Sequence, residues 1–322
     1  MKTYPEVYAV ILNYNGYEDT KNCIESLKKV DYSNLRIVIV DNASTDGSYD
    51  KFKKKFPEVT VIETQYNMGY TGGMNTGARF AVENKADYIL LSNNDMLYEV
   101  DFLKILVEKI ESDRTVGIIS PKVLYMHDTN IIYCAGAEFK LFRCAAVNMY
   151  KGMSAENYGN ESREITSAEG SCLLIRKEVF DKAGYYNDKY FIYFEDIDFS
   201  DRVRKYFKIF YEPQSRVYHK TGAGLTWQDY SPFYYYYFSR NRLIYFSKFN
   251  FILKIYAIIF SLIISLAKSL TLIKAYYINK NKRKRIKSAM NSLWEGTYIG
   301  LKIILGFTKI EDNKPLLSTK QY

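Results

Sequence analysis

The sequence predicts an α/β fold: a mostly parallel central sheet with helices on both faces, followed by a C-terminal helical appendage. Three observations carry this prediction. Apolar runs rich in β-branched residues recur at 7–12, 35–40, 59–63 and 88–92, and helical patterns fill the gaps at 18–30, 48–56 and 74–84. The runs are continuous rather than alternating, as in strands covered on both faces. Each run also ends in polar residues. Such repeats predict a doubly wound sheet with its ligand crevice along one edge.

The strand ends define that edge. The first run leads into "NYNG" (13–16), the second into "VDNASTDGS" (40–48), the third into "QYNMGYTGG" (65–73) and the fourth into "NND" (93–95). In a parallel sheet these ends lie side by side, where loops and helix N-termini converge on a ligand. A carboxylate buried at a strand end is costly without partners, so Asp41 is expected to hold a ribose or base edge. Its neighbours Asn42, Ser44, Thr45 and Asp46 also suit a plain Asx-rich cap on the next helix. The stretch 67–77, "NMGYTGGMNTG", is neither G-x-G-x-x-G nor a phosphate loop ending in G-K-[ST], which argues against a nicotinamide dehydrogenase. Its glycines are expected to let backbone approach a ligand, with a helix starting at Met74. Asp95, with Asn93 and Asn94, ends a buried strand. One carboxylate with diphosphate oxygens and water suffices for Mg2+ or Mn2+, although Asn-Asn-Asp is also good turn chemistry.

A mixed region follows, with strand-like pieces at 116–120, 172–175 and 209–211. Within it, "YFEDIDFSDRVRKYF" (193–207) opens a helix near Glu195. Acidic residues in a first turn complement the helix dipole, the ordinary explanation for Glu195, Asp196, Asp198 and Asp201. The aromatic stretch before them would also shelter a carboxylate and raise its pKa towards that of a general base. His219, one of two histidines, stands before a glycine-bearing loop where it can serve metal or phosphate. Arg240, Asn241 and Arg242 open a further helix, with salt bridging as the plain alternative.

Composition sets the outer limits. At 322 residues and 48% hydrophobic, the chain has a substantial core. Its four cysteines show neither C-x-x-C pairing nor zinc spacing, as expected of reduced, buried thiols. The apolar run 7–12 is too short for a signal peptide, so the catalytic part is expected to face the cytoplasm. Of the net charge of +9, six basic residues crowd into "KNKRKRIK" (280–287), directly after the most hydrophobic stretch. That pairing suits the inner face of a cell membrane better than nucleic acid.

Together and in order, "AVILNYNG", "VIVDNASTDGS", "NMGYTGGMNTG", "ILLSNND", "EGSCLLIRKEVF", "GYYNDKYFIYFEDIDFSDRV", "VYHKTGAG" and "YYFSRNR" resemble the family 2 glycosyltransferases of the GT-A, Rossmann-like fold. The likeness covers about residues 5–245 and is greatest to the rhamnosyltransferase-like branch. It implies an inverting transferase with a nucleotide-diphosphate sugar donor and a divalent cation. Asp196 would be the catalytic base, with Glu195 the fallback, and Asp95 and His219 would contact the metal. Asn13, Asp41, Asn42, Asp46, Asn67, Gly69, Gly73, Asn75, Asn94 and Arg240 would line the nucleotide-sugar site. Asn93 replaces the first Asp of the family's D-x-D-type motif, a form familiar in that branch, and so points to dTDP-rhamnose.

The resulting domain division is 1–245 for catalysis (1–115 for the donor, 116–245 for acceptor and chemistry) and 246–322 for a membrane-associating tail. In the tail only 13 uncharged residues, 255–267, lie between Lys254 and Lys268. That is short of the roughly 20 a spanning helix needs, so an interfacial helix and a glycan or lipid-linked glycan acceptor are expected. Packing on the catalytic domain or on a second subunit, as a homo-oligomer, is the alternative. Other functions compatible with the motifs are a UDP-hexose transferase, a silent sugar-nucleotide binder and a nucleotidyltransferase. The last normally needs a basic, glycine-rich loop that "NYNGYEDT" does not supply.

Overall fold

The computed structural model describes residues 4–220 and 231–309. The chain alternates β1 (Val7–Asn13), α1 (Tyr17–Leu27), β2 (Leu35–Asp41), α2 (Ser48–Lys55), β3 (Thr60–Glu63), α3 (Gly69–Glu83) and β4 (Tyr88–Ser92). It continues through β5 (Met96–Tyr98), α4 (Phe102–Ser112), β6 (Val116–Tyr125), β7 (Ile132–Cys134), β8 (Ala137–Lys140), β9 (Ala145–Asn148), β10 (Arg163–Ile165) and β11 (Cys172–Arg176). Then come α5 (Lys177–Ala183), α6 (Glu195–Val203) and β12 (Lys208–His219), and finally α7 (Pro232–Phe246), α8 (Phe251–Ile278) and α9 (Arg283–Ile304). The contacts divide into two compact units. One comprises residues 4–140, 146–187 and 196–220, and the other 141–145, 188–195 and 231–309.

The first unit is built on a sheet of order β10-β12-β6-β11-β4-β1-β2-β3, with β5 on β12 and β7 on β6. The strands from β4 to β3 are parallel, as expected, and β11 runs antiparallel to both β4 and β6. Both faces are covered. Along β1, Tyr8 and Val10 point into the core beneath α3 and α5, while Val7, Ala9 and Ile11 point into the one beneath α1 and α4. This double burial is why the strand sequences read as unbroken apolar runs. All four cysteines are free and buried.

Three elements differ from the sequence expectation, one being that Arg240, Asn241 and Arg242 fall late in α7, which starts at Pro232, and do not open a helix. Helix α3 begins at Gly69, so the glycine-rich stretch forms its first turns rather than a loop before Met74. Gly69 enters at φ +73°, a conformation glycine adopts without strain, with its N–H held by Asn67 Oδ1 at 2.9 Å. β12 runs to His219 rather than ending near 211. A register shift between Glu212 and Arg216 carries the strand across Pro213, which the apolar pattern could not follow.

The second unit is helical. Ser231 caps α7 by accepting from Tyr234 N at 3.2 Å, with Pro232 in the first turn. Asn250 caps α8 by accepting from Leu253 N at 3.1 Å. Tyr235, Leu272, Ala275, Ile286, Ala289 and Leu293 form a core shared by α7, α8 and α9.

Candidate active site

The site is assembled at the carboxyl edge of the first unit's sheet. Where β1 ends, Asn13 donates from Nδ2 to Asp41 Oδ2 at 2.8 Å and to Ser44 Oγ at 3.0 Å. Asp41, wholly buried at the end of β2, also accepts from Ser44 N at 2.8 Å, so its charge is met by two donors. Those bonds fix the loop in which Ala43 takes a left-handed φ of 59°, a strained position for alanine. Asn42 ties the next strand end in. Its Nδ2 donates to Asn67 Oδ1 and Gly69 O, both at 3.0 Å, while its Oδ1 accepts from Met68 N at 2.9 Å. Asn94 Nδ2 donates to Thr20 Oγ1, which itself donates to Asn13 Oδ1, each at 2.8 Å. Asn13, Asp41, Asn42, Asn67, Gly69 and Asn94 therefore belong to one hydrogen-bonded rim spanning four strand ends.

Three other residues of the expected donor site are engaged elsewhere. Asp46 is exposed and accepts from Ser48 N at 3.0 Å and from its hydroxyl, forming a local turn just before α2, whose N-cap is Gly47. Asn75 is buried and braces residue 186, donating to Tyr186 O at 2.9 Å and accepting from Tyr186 N at 3.0 Å. Gly73, expected against the ligand, faces β1 instead: a Cβ there would stand 2.2 Å from Leu12 Cδ1. Its small size seats α3 on the sheet.

Asp95 and His219 meet because β5 pairs antiparallel with the end of β12, setting His219 opposite Met96. His219 Nε2 lies 3.1 Å from Asp95 Oδ1, and Lys220 N donates to Asp95 O at 3.0 Å. His219 is buried edge-on against Tyr133, and its Nδ1 has no hydrogen-bond partner among the described residues. The Asp95 carboxylate is 29% exposed, so the pair opens to solvent on one side. One carboxylate and one imidazole fit a divalent cation that completes its shell with phosphate oxygens and water. Among the described residues no group of three His, Cys, Asp or Glu side chains could hold a metal on its own.

Asp196 stands in the first turn of α6, where Ile197 N donates to its Oδ1 at 2.8 Å. Burial, then the negative charge of Glu169, push its pKa up from 3.8 to about 7 against the pull of backbone N–H groups, including Gly170. Glu169 is a residue the sequence reading passed over although it opens "EGSCLLIRKEVF". Ser171 holds its carboxylate through both N and Oγ, and Tyr70 OH pins the turn by donating to Gly170 O at 2.8 Å. A like charge beside a sheltered carboxyl disfavours its ionised form.

Glu195, adjacent in sequence, falls in the second unit and is buried. Arg240 lies in that unit too, buried, with Nη2 donating to Lys189 O at 2.6 Å. Asn241, named in the sequence only beside Arg240 and Arg242, has a part that the sequence did not indicate. Its Nδ2 donates to the carbonyls of Tyr190, Ile192 and Tyr193 at 2.9, 2.7 and 2.8 Å. It thereby clamps a loop in which Phe191, Tyr193 and Phe194 all have positive φ, immediately before α6. The "SRNR" run was the available signal, but nothing in it says which residue reaches back to that loop.

The sequence profile described as "Glycosyl transferase family 2" matches residues 8–184. The chain belongs to this family. Family 2 relatives include the low-salt glycan biosynthesis hexosyltransferase Agl10 of Haloferax volcanii, 27% identical over 202 residues. That match covers 61% of each chain. An N-acetylglucosaminyl-diphospho-decaprenol L-rhamnosyltransferase of Mycobacterium tuberculosis is 22% identical over 61% of this chain and 69% of its own. The dTDP-rhamnosyl transferase RfbF of Shigella flexneri is 24% identical over 80% of this chain and 86% of its own. Among solved structures, the mannosyltransferase PcManGT of Pyrobaculum calidifontis, in complex with GDP-Man and Mn2+, matches with TM-score 0.56. At 16% identity it covers 93% of this chain and 88% of its own, and the likeness establishes the GT-A fold.

Proposed function

We propose that this family 2 chain is an inverting, metal-dependent glycosyltransferase that moves rhamnose from dTDP-rhamnose to a hydroxyl of a lipid-linked glycan, on the cytoplasmic side of a membrane. The observation that carries the reading is Asp196, a sheltered carboxyl whose pKa of about 7 suits it to accept a hydroxyl proton near neutrality. A mere sugar-nucleotide binder gains nothing from so costly a carboxylate. The donor follows from Asn93 in the first position of the metal motif and from two rhamnosyltransferases among the relatives. The lipid-linked acceptor follows from the name of the mycobacterial relative.

The rim from Asn13 to Asn94 would hold the nucleotide, with Asp41 as acceptor for a ribose or base hydrogen. Asp95 and His219 would hold Mg2+ or Mn2+, which supplies Lewis-acid stabilisation of charge on the diphosphate. The acceptor oxygen forms the new bond to the anomeric carbon as the bond from that carbon to the diphosphate oxygen breaks. Asp196 Oδ receives the hydroxyl proton in the same step.

The test mixes purified protein, a panel of nucleotide sugars and either cation, with and without a lipid-linked glycan extract, and measures nucleotide diphosphate release. Release from dTDP-rhamnose, raised by the extract and lost in Asp95→Ala and Asp196→Asn, is expected. Release from a UDP-hexose would replace the donor. Tight binding with no release under any condition would make the chain a silent binder.

A further inference from the structure

Helix α8 is built inside out. Five of its six buried positions are small or polar: Ala257, Ser261, Ser265, Ser269 and Ala275 turn inward, with Leu272 the one large apolar residue among them. Ser265 Oγ meets Thr297 Oγ1 of α9 at 2.9 Å, and Trp294 Nε1 donates to Ser269 Oγ at 2.9 Å. The large side chains point outward instead. Ile252, Ile259, Ile263, Leu266, Leu270 and Tyr277 are each more than half exposed. Their spacings of seven, four and three residues set them on one continuous stripe. A helix packed only against protein and water shows the reverse order, because exposed apolar area costs free energy that burial would recover.

Charge placement identifies what covers the stripe. Lys268, the cation that interrupts the apolar run in the sequence, has its ammonium 5.4–5.6 Å from the ring centres of Tyr234, Tyr235 and Phe238 on α7. The outer stripe from Ile255 to Ile273 is therefore free of charged side chains. Beyond the helix, Lys280, Lys282, Lys284, Arg285 and Lys287 are exposed. From Tyr230 to Trp294 the sequence holds twelve Lys and Arg and no Asp or Glu. Arg240 and Arg242 are buried and Lys268 packs on α7, but two such tails facing each other would still oppose the exposed cations of one with those of the other. An anionic bilayer offers both partners at once, acyl chains for the stripe and headgroups for the cations. The helix spans about 42 Å at 1.5 Å per residue, and α9 packed along it carries Glu295 and Lys302. Those charges suit an axis lying along the surface rather than across it.

We propose that the outer face of α8, with the basic run 280–287, is the surface by which this chain lies on an anionic lipid bilayer, with the helix axis in the membrane plane. The proposal rests on the reading above only in that a lipid-linked acceptor would be met there. The test is co-sedimentation of the full chain with vesicles of phosphatidylcholine alone or mixed with phosphatidylglycerol. Ile259→Asn/Ile263→Asn/Leu266→Asn breaks the stripe at exposed positions, and Lys284→Ala/Arg285→Ala/Lys287→Ala removes three charges. Wild type should bind mixed vesicles far more tightly than neutral ones. The stripe variant should lose binding with an unchanged thermal melt. The charge variant should weaken about five-fold per residue removed, and added salt should mimic it. Binding indifferent to the stripe variant would overturn the proposal, as would bound protein that resists alkaline carbonate. Absence of vesicle binding alongside self-association that the stripe variant abolishes would assign the face to a second copy. Nucleotide diphosphate release measured without vesicles keeps the two readings separate, since it tests transfer while sedimentation tests docking.

Discussion

Glu169→Gln is the perturbation that most directly tests the chemistry. Gln keeps the size of the side chain and an oxygen for Ser171 N and Oγ to bond, so the turn beside Asp196 should survive. What it removes is a negative charge, the second cause of the displacement of Asp196 from 3.8 to about 7. Removing a like charge lowers the pKa of the remaining carboxyl, and burial still holds it above 3.8. A base with pKa 7 is about one-eleventh ionised at pH 6, and one with its pKa lowered by about one unit is half ionised there, so the first unit lost raises the competent fraction by about five-fold. At pH 8 the fraction is already near one, and the variant should be equal or slower there because the base is weaker. The assay is kcat/KM for the donor across pH 5–9 at saturating cation. The acid limb should move to lower pH with KM for the donor unchanged. A limb that stays in place, or moves up, would refute both the role of Glu169 and the assignment of Asp196 as the base.

Removing either member of the Asp95–His219 pair should weaken cation activation far more than donor binding measured without cation. Asp95→Ala and His219→Ala are each expected to lower kcat/KM by about a hundred-fold or more, read from activity against cation concentration. Asn241→Ala leaves three carbonyls, that of Tyr190 buried, without their donor, so stability should fall by about 1–3 kcal/mol in urea, and kcat should fall with it as the loop before α6 loosens. Gly73→Ala drives a methyl towards Leu12 and should cost about 1–3 kcal/mol, visible as a lower thermal midpoint. Asp196→Asn should stabilise the fold above neutral pH. The folded pKa is raised, so the stability Asp196 contributes is complete below pH 4 and lost as pH rises through 7, on the order of 4 kcal/mol at most, read from denaturation at pH 5 and 8.

Much of the first unit was legible because both faces of its sheet are buried. A strand such as β1, with Val10 beneath α3 and Ile11 beneath α1, must be apolar at every position, and few other structures demand that. Where burial is uneven the pattern fades. β12 crosses Pro213 and Ser215 at a register shift, and so reads as a three-residue strand although it has 12 residues. The glycines of α3 misled for a related reason. A glycine that lets a helix approach a sheet and one that lets backbone approach a phosphate leave the same letter in the sequence.

The layout of the candidate site was legible where a charge stands at a strand end, as for Asp41 and Asp95, or behind a sheltering aromatic stretch, as for Asp196. Glu169 and Asn241 act through other residues, and their partners lie 27 residues downstream and 48–51 residues upstream respectively. Neither spacing is periodic in any element, so no local rule finds them. What the structure shows is a cost. Three non-glycine residues in left-handed conformation run straight into a helix whose first turn carries a carboxyl displaced by about three pKa units. Strain and charge burial of that kind persist only where surrounding bonds enforce them, as the three hydrogen bonds donated by Asn241 and the two donated by Ser171 to Glu169 do. If Asp196 is the base proposed above, a single change to Asn at 196 should relieve that burden and abolish transfer together, whereas a purely structural carboxyl would give the first effect without the second.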